Sequence, residues 1–412
     1  MGRSSVPVYA KLPGSAKKDL AGEFTLDDDT GVGELSYEKA YLVSADSYAL
    51  DPVRARFPQP RKCLLNKGVY GVLRDAGPDA WGRDMLLREH GVLSEIEILR
   101  HAPEDGAGNI SFHPDHRLQA CSLEEIDRVS AGFPPSDDPL TPAIHPTTSM
   151  GGAKPKLLAY DAGSFWIAKF PEKGDPEYKN AANEHAMLEM AKACGIEACD
   201  SRIHDLPDGR KILLVRRFDL DGSPEIHTRL GFASAHTVLG MGDTRKEGAL
   251  KSYVRFRHEA QHWTRQDDGA ALWRRLAFNA LVSNTDDHAR NHALVFDGVW
   301  RLSKAFDIVA TPGYGPVRLC LGIHAGGVVA TPETLLLSAD EMGVSRESAV
   351  EVLIEMAATI IGQWRARIRG GMSAAGLDQL ASAFRLAENV LGFDFAQVAS
   401  PVRARRFQCG KT

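Results

Sequence analysis

The stretch Asn284-Thr-Asp-Asp-His-Ala-Arg-Asn291 follows an apolar segment with helical spacing and places Asp286 five residues ahead of Asn291. In kinase catalytic loops, an aspartate accepts or orients the proton of the acceptor hydroxyl, and an asparagine further along holds a magnesium ion on the phosphates. Asp286 and Asn291 fit these two roles. An Asp and an Asn at this spacing also occur together by chance, so the prediction depends on the surrounding sequence.

A predicted β-hairpin follows the motif. Residues 292–296 and 299–302 are largely apolar and flank Asp297-Gly298, a strong short-range hairpin signal. The chain then reaches Phe306-Asp307, where a kinase needs a second carboxylate for its metal. Asp297 is the alternative, because residues 296–298 resemble a metal-binding Asp-Phe-Gly element, but it lies in the predicted turn. We therefore expect Asp307 to be the metal ligand.

Lys169 lies inside the apolar segment Ser164-Phe-Trp-Ile-Ala-Lys-Phe170, which is predicted to be a strand. Burying an ammonium group without a partner is costly, so Lys169 needs a carboxylate. The predicted helix over residues 178–194 carries Glu184 on its apolar stripe, and we expect the two to pair, as a phosphate-binding lysine and a helix glutamate do in kinases. The alternative is that both side chains extend to solvent.

Two more segments fit a nucleotide site. Residues 147–156, Thr-Thr-Ser-Met-Gly-Gly-Ala-Lys-Pro-Lys, combine paired glycines with lysines, which favours close approach of backbone amides to phosphate. The loop lacks the Gly-Lys-Ser/Thr of a Walker motif, and a simple hairpin turn with solvated lysines is the alternative. The apolar strand predicted over residues 211–215 leads into Arg216-Arg-Phe-Asp219, where a kinase has the hinge whose backbone groups bind adenine.

Bulk properties favour a folded cytoplasmic protein. With 412 residues, 43% hydrophobic and 25% charged, the chain can form two or three domains. A net charge of -5 does not indicate a general nucleic-acid-binding surface. The six cysteines are scattered, which suits a reducing compartment and argues against zinc. No apolar run approaches the roughly 20 residues of a membrane span, so we expect no membrane contact.

The predicted organisation is α+β and has four parts. Residues 1–132 form an N-terminal α/β subdomain with short strands over 6–42 and helices over 78–91 and 94–100. There, Asp79, Arg83 and Asp84 are interpreted as surface charges. Five prolines make residues 133–146 a linker. Residues 147–245 form a kinase N-lobe with the phosphate loop. Residues 246–412 form an all-helical C-lobe with the catalytic loop.

Taken together, these motifs resemble the HipA family, the serine/threonine kinase toxins of bacterial toxin-antitoxin systems. The resemblance covers most of the chain, and its motifs are specific as an ordered set. They are Tyr37–Leu42, Asp75–Arg83, Ser149–Lys156, Trp166–Phe170, Leu214–Asp219, Phe278–Asn291 and Trp300–Asp307.

The resemblance implies a bilobal protein-kinase-like fold with ATP and Mg²⁺ as cofactors. It implies Asp286 as the catalytic base and Asn291 and Asp307 as the magnesium ligands. It implies ATP contacts along the phosphate loop, the hinge and the catalytic loop: Gly151, Gly152, Ala153, Lys154, Pro155, Lys156, Lys169, Arg216, Arg217, Phe218, His288, Ala289, Arg290, Asn291, Phe306 and Asp307. His288 either shapes the loop around the nucleotide or is structural. Ser149 matches the serine that family members phosphorylate on themselves to stop the kinase.

The resemblance also implies partners, namely an aminoacyl-tRNA synthetase as protein substrate and a HipB-like helix-turn-helix antitoxin, through which any DNA contact would be indirect. The chain departs from the family pattern at Arg216 and Leu220, which replace a Glu and an Arg, and Pro155 removes one amide donor from the phosphate loop. Two other functions stay open: a kinase of similar fold acting on a small molecule or lipid, and a catalytically silent module of a repressor complex.

Overall fold

The computed structural model describes residues 2–132, 156–172, 174–242, 251–324 and 327–398, which form a mixed fold of helices and sheets. The predicted linker over 133–146 and most of the predicted phosphate loop, residues 147–155, lie outside the described residues. Among the helices that the structure describes, none is long and apolar enough to cross a membrane.

The N-terminal part combines a small antiparallel sheet with short helices. Its sheet has the order β3-β2-β1-β4, and the inward side chains alternate along β1, as the sequence predicts. The strands are β1 (Arg3–Lys11), β2 (Lys18–Asp27), β3 (Val32–Tyr37) and β4 (Ile110–Ser111). The helices are α1 (Lys39–Leu42), α2 (Gly71–Ala76), α3 (Ala80–His90), α4 (Glu95–Arg100) and α5 (Leu123–Gly132).

Capping residues set the bounds of α3 and α4. The Asp79 side chain accepts a hydrogen bond from the Gly82 amide at the start of α3, and the helix ends at Gly91, whose φ of 80° is left-handed. Ser94 and Glu97 form a reciprocal capping box at the start of α4. Both helices therefore lie where the sequence predicts them.

The central part is a second antiparallel sheet of order β5-β6-β8-β7, with α6 packed against it. Lys156 and Lys169 lie directly opposite each other at one end of the β5 and β6 pair. The elements are β5 (Lys156–Asp161), β6 (Ser164–Lys169), α6 (Ala181–Ala193), β7 (Ser201–Asp205), β8 (Lys211–Arg216), β9 (Leu220–Gly222), β10 (His227–Arg229), β11 (Gly231–Ser234) and α7 (Ala235–Val238).

The C-terminal part is mostly helical, but the prediction of an all-helical lobe is wrong. Among its described residues, four short strands lie between the helices, and β12 pairs with β11, so a three-stranded sheet crosses the predicted boundary at residue 245. The predicted hairpin around Asp297-Gly298 forms β12 and β13 of this sheet. The elements are α8 (Tyr253–Thr264), α9 (Gly269–Leu281), β12 (Ala293–Phe296), β13 (Trp300–Leu302), β14 (Val317–Arg318), β15 (Val329–Ala330), α10 (Pro332–Glu341), α11 (Arg346–Ile368), α12 (Ala374–Leu380) and α13 (Arg385–Leu391).

Buried arginines join the N-terminal part to the remainder. Arg217 donates to the Asp105 and Gly106 carbonyls at 2.8 and 2.9 Å. Arg229 donates to the Gly108 carbonyl at 3.0 Å. One hydrophobic core also runs from the N-terminal sheet to the C-terminal helices. The N-terminal part is thus held firmly against the central sheet, and a cleft lies at their junction.

Candidate active site

A cleft of about 500 Å³ opens between the N-terminal helices, the central sheet and the loop after α9. It brings together most of the predicted ATP-contacting residues that the structure describes. These are Lys156, Lys169, Arg216, Arg217, Phe218, His288, Arg290, Asn291, Phe306 and Asp307. Asp286, Ala289 and Glu184 do not line the cleft itself. Ser149 and residues 151–155 lie outside the described residues.

Lys169 is held between two carboxylates. Its Nζ lies 2.7 Å from Glu184 Oε1 and 2.6 Å from Asp307 Oδ1. The predicted Lys169 and Glu184 pair is therefore formed, and Asp307 joins it from the loop after the hairpin. This contact connects the central sheet, α6 and the C-terminal part through one ammonium group.

The ionisation of these groups follows from burial and from the shared charge. Burial by itself would raise the pKa of Asp307, but the ammonium of Lys169 outweighs burial and holds that pKa at about 2. Burial would lower the pKa of Lys169, and the two carboxylates outweigh it and raise that pKa. The pKa of Glu184, the most enclosed of the three, is raised by burial in spite of Lys169. The site thus keeps a cation and at least one anion at neutral pH.

Asp307 also has an unusual backbone. Its φ is 59°, in the left-handed region that residues with a side chain rarely adopt and that Asp tolerates better than most. Such conformations persist where the surrounding structure enforces them, often at functional sites. Here the conformation accompanies the contact between the Asp307 carboxylate and Lys169.

The loop after α9 separates its two adjacent aspartates. Asp286 is exposed, whereas Asp287 is completely buried. Asn291 reaches back across the loop, and its Nδ2 donates to the Asp286 carbonyl at 3.1 Å. Because the amide nitrogen is used in this bond, the Oδ1 of Asn291 is the atom that can ligate a cation. Asp286 is the acid of this pair that a second reactant can approach.

Asp297 lies in the hairpin turn, as its position before Gly298 predicts. Its carboxylate is exposed and pairs with Arg301 on the same hairpin. It does not line the cleft. The geometry therefore places Asp307 in the cleft and Asp297 outside it.

Two backbone amides of the predicted hinge already donate hydrogen bonds to other residues of the protein. The amide N–H groups of Arg216 and Arg217 donate to the Asp200 and Phe165 carbonyls at 2.8 and 2.9 Å. The Arg217 guanidinium is buried against Asp219 and the loop that precedes β4. The predicted adenine contact therefore cannot use the Arg217 side chain or these two amides unless those bonds break.

The interpretation of Asp79 and Arg83 as surface charges is wrong. Their side chains are only 7% and 17% exposed and line the cleft. Asp79 Oδ2 lies 3.5 Å from Lys156 Nζ, and Arg83 pairs with Glu95 at 2.9 Å. Burial lowers the pKa of Lys156, and Asp79 opposes that effect. Asp84 is exposed, as predicted. The N-terminal part therefore supplies charged groups to the site. In the sequence, the position of Asp79 directly after Gly-Pro at a helix start was the one signal that could have indicated this role.

A lysine paired with a helix glutamate, a nearby aspartate, and an Asp and Asn on one loop form the charge arrangement of a kinase-like site. The family profile of the HipA-like C-terminal domain matches residues 148–364, more than half of the chain. The protein belongs to this family.

Two comparisons agree with this membership. A curated protein of Sinorhizobium fredii, named as a candidate kinase, Y4dM, is 25% identical over 315 residues, which cover 66% of this chain and 69% of that protein. A solved structure of the Shewanella oneidensis MR-1 toxin-antitoxin system HipA, HipB and operator DNA complex contains a chain with a TM-score of 0.70 at 20% identity. The match covers 93% of this chain and 98% of that one. At this identity, the likeness establishes a shared fold.

Replacing Lys169 by Met is expected to lower the free energy of unfolding by about 3 kcal/mol at pH 8, because the buried Glu184 and the partly exposed Asp307 lose the cation between them. The folded pKa of Glu184, which burial already raises, then lies further above the unfolded value of about 4. A carboxyl with a raised folded pKa contributes stability below its unfolded pKa and loses it as pH rises through the folded value. Urea unfolding should therefore show a smaller deficit for Lys169→Met at pH 5 than at pH 8.

The matched control is Lys211→Met, on the same sheet, where the pair with Asp205 is exposed. Its cost should stay within about 1 kcal/mol at both pH values. Equal deficits for Lys169→Met at pH 5 and pH 8 would contradict the assignment of Lys169 as the counter-ion of both acids.

Proposed function

We propose that this protein is an ATP- and Mg²⁺-dependent serine/threonine protein kinase that acts as the toxin of a type II toxin-antitoxin system. The observation that carries the proposal is the contact of Lys169 with both Glu184 and Asp307 at one end of the cleft. Membership of the HipA-like family supports it. A catalytically silent binding module would not need the complete set of Lys169, Glu184 and Asp307.

The residues present fit a magnesium nucleotide. Asp307 stays ionised beside Lys169, and Asn291 directs its amide nitrogen to the Asp286 carbonyl, so a carboxylate and an amide oxygen suit a hard cation such as Mg²⁺. The metal would neutralise charge on the transferred phosphate when bound. Lys169 and Lys156, which lie side by side on β6 and β5, would hold the phosphates. Ile167, Val215 and Phe218 offer an apolar lining for the base.

In this proposal, Asp286 is the catalytic base. Its exposed carboxylate can accept or orient the proton of an acceptor hydroxyl as that oxygen attacks the γ-phosphate. The bond from the γ-phosphorus to the bridging oxygen breaks and ADP leaves, and Lys169 would stabilise the negative charge on the phosphate oxygens. Asp287 cannot take this role, because it is completely buried. Asn291, bonded to the Asp286 carbonyl, keeps the base and the metal site at a fixed separation.

Replacing Asp286 by Ala should lower phosphate transfer by about 10² to 10⁴-fold, because the base is lost while Lys169 and Asp307 keep their contacts. Incubation with labelled ATP and magnesium, with whole-cell protein and small-molecule extract as separate acceptors, measures the rate and identifies the acceptor class. Asp84→Ala, an exposed acid on α3 whose partner is Arg88, is the matched control.

Label in the protein fraction supports a protein kinase. Label only in the small-molecule fraction would favour the alternative kinase function. An Asp286→Ala variant as active as Asp84→Ala would remove Asp286 from the mechanism.

Asp307→Asn should weaken ATP binding strongly when magnesium is present, because the charge that would ligate the metal is gone. Asp297→Asn should have little effect, since that acid pairs with Arg301 in the hairpin turn. Calorimetric titration with ATP, with and without magnesium, separates the two. Equal effects of both substitutions would remove the reason for choosing Asp307.

The acceptor and the partners are proposed from the resemblance to HipA toxins. We propose a translation component such as an aminoacyl-tRNA synthetase as substrate and a HipB-like helix-turn-helix protein as antitoxin. The Shewanella complex, which contains HipA, HipB and operator DNA, supports the second point. Any contact of this chain with DNA would then be indirect, through the antitoxin.

Self-inhibition through Ser149 is the final part of the proposal. Ser149 directly precedes the Gly151-Gly152 pair, and a phosphate there would add roughly -1.5 to -2 charges next to groups meant for nucleotide phosphates. Activity should therefore decline during incubation with ATP, and Ser149→Ala should prevent the decline.

Peptide mass spectrometry maps the modified residue, with Thr147 and Thr148 as the other acceptors to distinguish. Phosphate absent from residues 147–149, or equally present in the Asp286→Ala protein, would exclude self-inhibition and leave the kinase proposal intact.

A further inference from the structure

The loop that carries Asp286 and Asn291 is anchored by a buried polar group that the chemistry proposed above does not use. Asp287 Oδ2 accepts from the Tyr253 hydroxyl at 2.6 Å, and Asp287 Oδ1 lies 2.7 Å from His292 Nε2. The Tyr253 hydroxyl also lies 3.1 Å from His292 Nε2. All three residues are at most 3% exposed. We call these three residues the loop clamp.

The loop clamp holds the loop next to both Asp286 and Asn291. Asp287 directly follows Asp286, and His292 directly follows Asn291, so one carboxylate joins the two ends of the segment. Inside this connection, Asn291 donates to the Asp286 carbonyl at 3.1 Å. Two nested cross-links therefore fix the distance between the proposed base and the proposed metal ligand.

The clamp is in turn fixed to four parts of the fold. Tyr253 is the first residue of α8. Asn279, on α9, donates from Nδ2 to the Tyr253 hydroxyl at 3.0 Å. The Asp287 carbonyl accepts from the Leu321 amide at 3.1 Å, and the His292 carbonyl accepts from the Ala235 amide at 2.7 Å. Burial and the neighbouring Asp287 raise the pKa of Tyr253 far above its usual range, so the hydroxyl remains a donor.

We propose that Asp287 is a positioning residue, which holds Asp286 and Asn291 in register for phosphate transfer by bridging Tyr253 and His292. The inference rests on the kinase function proposed above. A buried carboxylate contributes little net stability compared with apolar packing, which makes geometric precision the better account of its presence. Displacement of a reacting group by about 1 Å can lower a rate by about 10²-fold.

The test compares kcat and KM for ATP, from ADP formation by the full chain, in Asp287→Asn and Tyr253→Phe proteins. Both substitutions keep the shape of the side chain. Asp287→Asn removes the negative charge, and Tyr253→Phe removes the hydroxyl that donates to Asp287. We expect kcat to fall by about 10²-fold in Asp287→Asn and less in Tyr253→Phe. KM for ATP should change less than kcat, because Lys169 keeps its contacts with Glu184 and Asp307. The double variant should be no worse than Asp287→Asn, since both act on one unit.

Matched controls come from the N-terminal part. Asp51 is also a completely buried aspartate, bonded to the Val53 and Arg54 amides at 2.8 Å. Tyr41 is a buried tyrosine whose hydroxyl donates to the Tyr48 carbonyl at 3.1 Å. Asp51→Asn and Tyr41→Phe repeat the same chemical changes away from the cleft and should leave kcat unchanged.

Hydrogen exchange of the amides of residues 286–292 provides a readout that does not depend on activity. Exchange should accelerate in this segment in the clamp variants and not in the controls. If the clamp variants match the controls in both kcat and exchange, the proposal is wrong, and a loss of stability with kcat retained also overturns it. If the wild-type chain forms no ADP, the kinase proposal fails and the exchange data still decide whether the clamp orders the loop. Should Asp287→Asn fail to fold, Tyr253→Phe, which only lacks a hydroxyl, gives the decision.

Discussion

The ammonium group of Lys169 imposes the constraint on which the site depends. An enclosed cation must be compensated, and its two carboxylates come from positions 15 and 138 residues further along the chain. Glu184 can reach it only if α6 packs across the central sheet. Asp307 can reach it only if the hairpin of β12 and β13 returns the chain to the cleft. The charge of Lys169 therefore constrains how β6, α6 and the loop that carries Asp307 are arranged.

Lys156 imposes the same need for nearby anions on the N-terminal part. Two lysines directly opposite each other on neighbouring strands repel, and such a pair destabilises a sheet unless anions lie close by. Lys169 has Glu184 and Asp307 beside it, and Asp79 approaches Lys156 from the start of α3. The buried contacts of Arg217 and Arg229 with residues 105–108 hold that helical region in place. The N-terminal part is thus built into the electrostatics of the cleft and is more than an appended unit.

Sequence reasoning found the features that have local causes. Lys169 stands out because it interrupts an apolar strand, and Asp297 is assigned to a turn because Gly298 follows it. Asp79 and Arg217 could not be placed in this way, because their partners lie about 77 and 112 residues away in the sequence. Nor does the sequence separate exposed Asp286 from buried Asp287. Neighbouring acids in an irregular loop carry no periodicity that assigns them to a face.

The order of residues within that loop nevertheless explains how it can be both reactive and rigid. The backbone changes conformation within this pair, because Asn291 ends a 3-10 turn and His292 is extended, with φ -128° and ψ 147°. A residue that faces the cleft is then followed by one that faces the core, and Asn291 and His292 are arranged in this way. Each functional residue has its anchor as its immediate neighbour, so a displacement of one must break a buried bond of the other. Close spacing of reactive and buried polar residues is therefore a physical requirement of a short loop that has to hold two groups at a fixed distance.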